Sequence, residues 1–302
     1  GLSDAGVVLT AYDPETKTTI VTYENSNIDI VQNNKVYNIS DIRIRSIEGS
    51  KEINSIYFND SKAYLSCGFG IVVLDLKRKE IYDTYYVGEN SSKIKVNAVT
   101  INDTSIFAAS VNGLLFAPKN STALAASQTW KKVPNIANKG KDNLEITNLL
   151  SLGNGKLLIT LPIAETTFCD VYTFDGENWT NIFENEYIKA LRLSEGKLIK
   201  IAYRSLNIYD VNNLVNGREI YHLSDEWNPV HGIHLDVNDA IVDSQDLWLA
   251  HQTKGLIRLK DYRNGTHNKS EHFPDGPKSN HIYSITSSED GKIYIAPGGK
   301  TI

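Results

Sequence analysis

Methionine is absent from this 302-residue sequence, and cysteine occurs only twice, as Cys67 and Cys169. The two cysteines stand in dissimilar local sequences, so we expect two free thiols, and cysteine gives no indication of the cellular compartment. No stretch approaches the roughly 18 apolar residues of a membrane-spanning helix, so we expect no span in this sequence. Acidic residues exceed basic ones only slightly, and the net charge of −5 gives no broad attraction to nucleic acid or anionic lipid.

Long helical patterns are also lacking, and a repeat of about 43 residues takes their place. Each copy has an apolar strand, a polar turn, a second strand ending in small residues, and a Gly or Asn before a third strand. The clearest copies are Ala63–Val73, Ile106–Phe116 and Leu247–Ile257. The residues that stand before the third strand are Asn27, Gly70, Gly113, Ser205, Gly255 and Gly298. Units of about 40 to 50 residues with four short strands are typical of propeller blades, which bury their two faces only by stacking on neighbours.

The sequence therefore predicts an all-β fold, a β-propeller of four-stranded antiparallel blades. We expect one domain over residues 1–302, seven-bladed, with six complete blades and a partial blade over residues 281–302. Because the sequence begins on a turn-like segment, Gly1–Asp4, and ends two strands into a unit, we expect it to be part of a longer protein.

Four segments depart from the repeat. Residues 163–168 read as an insertion, and residues 120–128 read as a surface loop or one helical turn. Residues 211–217 read as an insertion that could form a short helix. Residues 224–236 do not follow the blade pattern at all.

The glycine-rich segments Gly68–Gly70 and Pro297–Gly299 are not phosphate-binding loops, because neither opens a helix with a lysine at the required spacing. Glycine in these places suits a close backbone approach and a positive φ at the turn between strands. Ser66-Cys67-Gly68 resembles a nucleophile motif only superficially, since the next copy places Ser110 at a similar point. We expect Cys67 to be a small packed residue.

Catalytic and metal-binding groupings are weak. His231 and His234, with Asp236 and His251 nearby, form the one histidine grouping, but residues three apart on an extended segment point to opposite sides. The adjacent carboxylates in residues 225–226 do not make an acid/base pair without a shared cleft. We therefore predict a protein that is not an enzyme and that has no metal and no cofactor.

Two sets of residues are candidates for contacts with a partner. Trp227, His231 and His234 lie in the segment that departs from the blade pattern, so we predict a binding surface there. The outer-strand residues Tyr82, Tyr85 and Tyr86 suit either a carbohydrate or protein contact surface or packing between blades, and we favour packing.

Four segments carry a resemblance to a known family: Gly1–Asp4, Asn27–Ile30, Tyr64–Asp75 and Ile295–Gly299. They look like the amino-terminal propeller region of PorZ-type proteins, which are cell-envelope proteins of Bacteroidetes tied to type IX secretion. This resemblance implies a secreted, non-catalytic scaffold. Family members join two propellers to an export domain and act at the cell surface, with a sortase-like protein and outer-membrane partners, to attach cargo to anionic lipopolysaccharide.

The leading functional prediction is thus a binding propeller of the periplasm or outer cell surface, with envelope proteins and lipopolysaccharide or another glycan as partners. The alternative is the ligand-sensing propeller of a periplasmic two-component regulator, because Leu247–Leu259 is similar to the repeats of those sensors. A propeller lyase or glycosidase is disfavoured, since the inner strands carry mostly Ala, Ser, Val, Ile and Asn.

Overall fold

A computed structural model describes residues 1–222, 235–264, 268–273, 281–288 and 291–297. The strands of these ranges form six four-stranded sheets and one two-stranded sheet. In every sheet the strands are neighbours in chain order. This is the predicted β-propeller of four-stranded antiparallel blades. The seventh sheet, within the predicted partial blade, has two strands.

The strands are numbered in chain order. The first sheet contains β1 Val7–Asp13, β2 Thr18–Tyr23, β3 Ile28–Gln32 and β4 Lys35–Ile39. The second contains β5 Ile53–Asn59, β6 Lys62–Cys67, β7 Gly70–Asp75 and β8 Glu80–Tyr85. The third contains β9 Val96–Ile101, β10 Ser105–Ser110, β11 Gly113–Pro118 and β12 Lys131–Lys132. The fourth contains β13 Asn148–Gly153, β14 Lys156–Pro162, β15 Cys169–Phe174 and β16 Trp179–Glu186.

The fifth sheet contains β17 Ile188–Ser194, β18 Lys197–Ala202, β19 Ser205–Asp210 and β20 Asn213–His222. The sixth contains β21 Val237–Asp243, β22 Asp246–His251, β23 Gly255–Lys260 and β24 Asn268–His272. The seventh contains β25 Ile282–Ser287 and β26 Ile293–Pro297.

Helical structure in the described ranges is limited to single turns. One α-helical turn, α1, spans Asp41–Ile44. The 3₁₀ turns are Glu89–Ser91, Ser127–Thr129, Ile136–Asn138 and Tyr262–Asn264. None of the helices in these ranges is long and apolar enough to cross a bilayer.

The alternation of side chains along β10 explains why the sheets stack. Ile106 and Ala108 belong to a buried cluster that also holds residues of the second sheet. Phe107 and Ala109, one position out of phase, belong to a cluster with residues of the fourth sheet. Because neighbouring residues of a strand point to opposite faces, one strand supplies both interfaces of its blade.

The chain divides into two compact units. The first comprises residues 1–3, 15–18 and 25–186. In it β9, the first strand of the third sheet, contacts both β5 and β13, the first strands of the second and fourth sheets. The second comprises residues 4–14, 19–24 and 187–302. In it β21 contacts β17 and β25, and β25 also contacts β1. The single domain predicted over residues 1–302 stays a prediction.

One predicted segment is corrected by the structure. Residues 211–217 are not a short helix, because β20 already begins at Asn213 and pairs with β19. Leu214, Ile220 and Tyr221 are buried there, so the gain from packing in the sheet outweighs local helix propensity. Residues 120–126 form turns without a helix, and a 3₁₀ turn follows at Ser127–Thr129.

Candidate functional site: a pocket between the second and third sheets

A pocket of about 520 Å³ opens where the chain passes from the second sheet to the third. One wall is the segment that follows β8, and the other is built from β11, β12 and the loops beside them. This volume lies within the roughly 300–1,000 Å³ that is usual for small-ligand sites. The lining residues are Val87, Gly88, Glu89, Ser92, Ile94, Asn112, Leu115, Ser127, Trp130, Lys132 and Asn143.

The floor of the pocket is apolar and is organised by Trp130. The indole is 7% exposed, and its Nε1–H donates to the carbonyl oxygen of Leu124 at 2.9 Å. The ring of Tyr85 lies 6.2 Å from that of Trp130. Burial, and then the neighbouring Tyr64, raise the pKa of Tyr85, so its hydroxyl stays protonated. Val87 and Leu115 complete a floor that is rigid because every large side chain in it is packed.

The rim of the pocket is polar. Lys132 Nζ lies 3.2 Å from Glu89 Oε1, and this pair links β12 to the turn that follows β8. The Oγ atom of Ser127 accepts the backbone N–H of Ser91 at 3.1 Å and lies 3.3 Å from the Ser91 hydroxyl. These contacts hold two 3₁₀ turns together, although the residues stand 36 positions apart in the sequence.

An apolar floor with amide, hydroxyl and charged groups at the rim is suited to holding a ligand with one apolar and one polar face. Asn112 and Asn143 supply amides, and Ser92 supplies a hydroxyl. The lining residues include one carboxylate, that of Glu89, and it faces the ammonium group of Lys132. Acid/base cleavage of a glycosidic bond typically needs two carboxyl groups about 5–9 Å apart. The described residues that line the pocket supply one carboxyl group.

The residues predicted as a binding surface, Trp227, His231 and His234, lie outside the described residues, so that prediction is not tested. Of their neighbours, His251 is 1% exposed, and its Nδ1 accepts the backbone N–H groups of Thr253 and Lys254 at 3.1 Å each. The imidazole thus shapes the turn before β23. In the part of the chain that the structure describes, no three His, Cys, Asp or Glu side chains gather as metal ligands would.

The three outer-strand tyrosines have different environments. Tyr85 is 3% exposed and belongs to the buried cluster between the second and third sheets, as expected for packing. Tyr82 is 54% exposed, with Lys62 Nζ 3.9 Å from its ring centroid. The ring of Tyr86 lies 6.4 Å from that of Phe69. Alternation along one strand therefore separates a packing tyrosine from an exposed one.

Glycines before the third strands have the expected backbone. Gly70, Gly113 and Gly255 have φ values of +145°, +110° and +71°. A Cβ atom on Gly113 would lie 2.1 Å from the carbonyl oxygen of Asp142. Cys67 is fully buried, and both cysteines are free thiols, as predicted.

Comparison with known proteins finds a likeness to the family that the sequence suggested. The family model for the amino-terminal β-propeller domain of PorZ, of the type IX secretion system, matches residues 1–131. The resemblance to PorZ is confirmed over this stretch. The match includes all of the pocket lining except Lys132 and Asn143. No curated protein sequence matches the chain.

Solved structures with similar folds include two WD40 propellers. The RRP9 repeats have 9% identity and a TM-score of 0.69, covering 99% of this chain and 89% of theirs. The Neurospora crassa Pan2 domain has 10% identity and a TM-score of 0.62, covering 97% and 86%. Both support the propeller fold.

PorZ of Porphyromonas gingivalis is also among the similar structures. It has 16% identity and a TM-score of 0.41, and the match covers 97% of this chain. The chain spans 50% of the length of that PorZ structure.

Proposed function

We propose that this chain is a non-catalytic binding propeller of the bacterial cell envelope, and that the pocket lined by Trp130 and Lys132 holds an envelope protein segment or a glycan. The observation that carries the proposal is the match of residues 1–131 to the PorZ amino-terminal propeller, since nine of the eleven pocket-lining residues fall in this stretch. A role in attaching cargo to lipopolysaccharide, at the cell surface, follows from the same likeness and is part of the proposal.

The chemistry of the pocket supports binding. A rigid aromatic floor and a rim of amides and hydroxyls are typical of small-ligand sites, where a few polar groups fix the orientation of the ligand. Hydrolysis or elimination of envelope polysaccharides by the purified protein, followed as release of reducing or unsaturated ends, would overturn the non-catalytic part of the proposal.

We propose further that the β25–β26 sheet belongs to a seventh blade. In the second unit β25 contacts both β21 and β1, as the first strand of an intervening blade must. This supports the count of seven.

The test of the binding proposal is capture from an envelope extract of the source bacterium, with a matched pair of charge reversals. Lys132→Glu places a carboxylate at the rim beside Glu89. Lys131→Glu makes the same change one position earlier on β12, where the side chain is exposed and does not line the pocket. Purified lipopolysaccharide, assayed by co-sedimentation, serves as a separate arm.

We expect the wild-type chain and Lys131→Glu to capture equal amounts of the same partner. Lys132→Glu should capture at least about fivefold less, because the new carboxylate at the rim would repel acidic groups of the partner. Equal capture by both variants, or no specific capture by the wild-type chain, would remove the pocket from the proposal. Trp227→Ala and His231→Ala extend the same assay to the predicted surface of residues 227–234.

The sensor alternative rests on the Leu247–Leu259 repeat, which forms β22, the turn shaped by His251, and β23. The sequence of the full-length gene discriminates between the two functions. A second propeller and an export domain support the scaffold, whereas a membrane span followed by a histidine kinase supports the sensor.

A further inference from the structure

A second pocket, about 330 Å³ in volume, lies within the other unit, between the outer parts of the fifth and sixth sheets. We call it the arginine pocket. Its lining residues are Lys197, Ile208, Tyr209, Asp210, Arg218, Ile220, Tyr262 and Arg263. None of them falls in the stretch matched by the PorZ family model, so the pocket is independent of the proposed function.

The charges of the arginine pocket do not cancel. Lys197 Nζ lies 2.9 Å from Asp210 Oδ2, so these two neutralise each other. Arg218 Nη1 donates to the backbone carbonyl of Arg263, and Arg263 Nη2 donates to that of Ser244 at 3.1 Å. Within the described ranges neither arginine forms an ion pair, so both guanidinium groups keep N–H donors for a ligand.

The two carboxylates that act on Arg263 accept hydrogen bonds from other residues. The pKa of Arg263 is raised, chiefly by the neighbouring Tyr262 hydroxyl and then by the charges of Glu195 and Asp261. Glu195 Oε1 accepts the backbone N–H of Ser244 at 2.9 Å, and an Asp261 oxygen accepts the side-chain amide of Asn264. These carboxylates offset part of the charge of Arg263 but form no ion pair with its guanidinium within the described ranges.

Close packing at Gly217 fixes the backbone of β20 next to Arg218. Gly217, the preceding residue, packs on the ring of Tyr209 so closely that a Cβ atom there would lie 2.1 Å from the ring. Tyr209 and Tyr262 are 7% and 3% exposed, so the aromatic floor is fixed. Arg218 and Arg263 themselves are exposed and accessible to a ligand.

We propose that the arginine pocket binds a phosphate monoester of a small organic molecule. A guanidinium has five N–H donors in a planar fork that matches phosphate, and each arginine uses only one for the contacts above. Two guanidinium groups that form no ion pair within the described ranges suit a phosphate monoester, which carries about −1.5 to −2 at pH 7. The tyrosine and isoleucine floor provides an apolar surface for the organic group, and the volume of about 330 Å³ lies near the lower end of the range for small-ligand sites.

Calorimetric titration tests the proposal with three probes: inorganic phosphate, glucose 6-phosphate and glucose. The variants are Arg218→Gln and Arg263→Gln. The matched control is Arg204→Gln, which removes an exposed arginine from the same sheet but does not line the pocket. Thermal unfolding of each variant establishes that it is folded.

We expect glucose 6-phosphate to bind with a Kd that weakens about tenfold or more in Arg218→Gln and Arg263→Gln, since each removes a charged hydrogen-bond donor. Arg204→Gln should keep the wild-type Kd, and glucose should not bind. Equal affinity for inorganic phosphate would support the anion site and identify free phosphate as its ligand. No binding of either phosphate probe, or the same weakening in all three variants, would overturn the proposal.

Discussion

The side chain of Asn97 reaches from one blade to the next: its Nδ2 donates to the carbonyl oxygen of Ile146 at 2.8 Å. Asn54 does the same to Val96 at 2.8 Å, and Asn238 to Ile282 at 2.7 Å. All three asparagines are the second residue of the first strand of their blade. Two of the acceptors, Val96 and Ile282, are the first residues of β9 and β25, and Ile146 lies two positions before β13. The contact is thus a repeated link between neighbouring blades.

Replacing Asn97 tests this link. We expect Asn97→Ala to lower the free energy of unfolding by about 1–2 kcal/mol, because it removes the bond and leaves the carbonyl oxygen of Ile146 without this partner. The control is Asn148→Ala, on the first strand of the next sheet, whose side chain forms no hydrogen bond with the described part of the chain. Urea unfolding should show a change within about 0.5 kcal/mol for that control. Similar losses in both variants would contradict the role of the link.

Two features favour glycine at the start of a third strand: a positive φ and a close contact that leaves no room for a Cβ atom. Two substitutions separate their effects. Gly113→Ala combines an unfavourable φ of +110° with a Cβ atom 2.1 Å from the Asp142 carbonyl oxygen. Gly153→Ala has a similar φ of +87° but meets nothing within 4 Å. We expect about 1–2 kcal/mol of destabilisation for Gly153→Ala, from backbone strain alone. For Gly113→Ala we expect at least about 2 kcal/mol more, because the backbone must move. Equal unfolding midpoints would be inconsistent with the close approach at Gly113.

Alkaline pH should destabilise the fold through Cys67. Burial raises the pKa of this thiol from 9.0 to about 12, so the folded state holds its proton where the unfolded state releases it. Below pH 9 both states are protonated and the thiol contributes no pH dependence. Between pH 9 and 12 the free energy of unfolding should fall by about 1.4 kcal/mol per pH unit from this group. Denaturant unfolding of Cys67→Ala across this range should show a shallower slope than the wild-type chain, and parallel curves would refute the assignment.

Acid should weaken the contact between β22 and β23. Burial opposes ionisation of Asp246, but the Asp261 backbone N–H and the Arg258 guanidinium outweigh it and lower the pKa of Asp246. A lowered pKa gives stability that is present above about pH 4 and is lost as the pH falls through the folded-state pKa.

We therefore expect Asp246→Asn to cost about 1 kcal/mol at pH 7, a modest value because Arg258 is partly exposed, and much less near pH 2. A double-mutant cycle with Arg258→Gln, followed by urea unfolding at both pH values, isolates the pair. Additive losses at pH 7 would show that the two residues do not couple.

The propeller fold could be predicted from the sequence because its signals are local. Glycines such as Gly70 and Gly113 stand at a fixed place in the repeat, and alternating apolar residues, as in Ile106–Ala109, mark strands packed on both faces. Asn54 and Asn97 are 43 residues apart, so their position in the repeat is visible in the sequence. Their role is not, because it depends on which carbonyl oxygen lies across the interface between blades.

The pocket could not be predicted because its parts meet only in the folded chain. The turn at Glu89–Ser91 is joined to the turn at Ser127–Thr129 by Ser91 and Ser127, and no spacing rule connects these segments. Similarly, the sequence of residues 211–217 allowed a short helix. A local pattern does not show that the ring of Tyr209 packs on Gly217.

The link between blades also bears on how such a protein grows. Donor and acceptor are separated by 42, 49 and 44 residues in the three cases, which is about one repeat. Tandem duplication of a single repeat would therefore copy both a donor for the following repeat and an acceptor for the preceding one. A newly inserted repeat could therefore form this hydrogen bond with both of its neighbours at once. The number of blades could change without further substitutions at these positions.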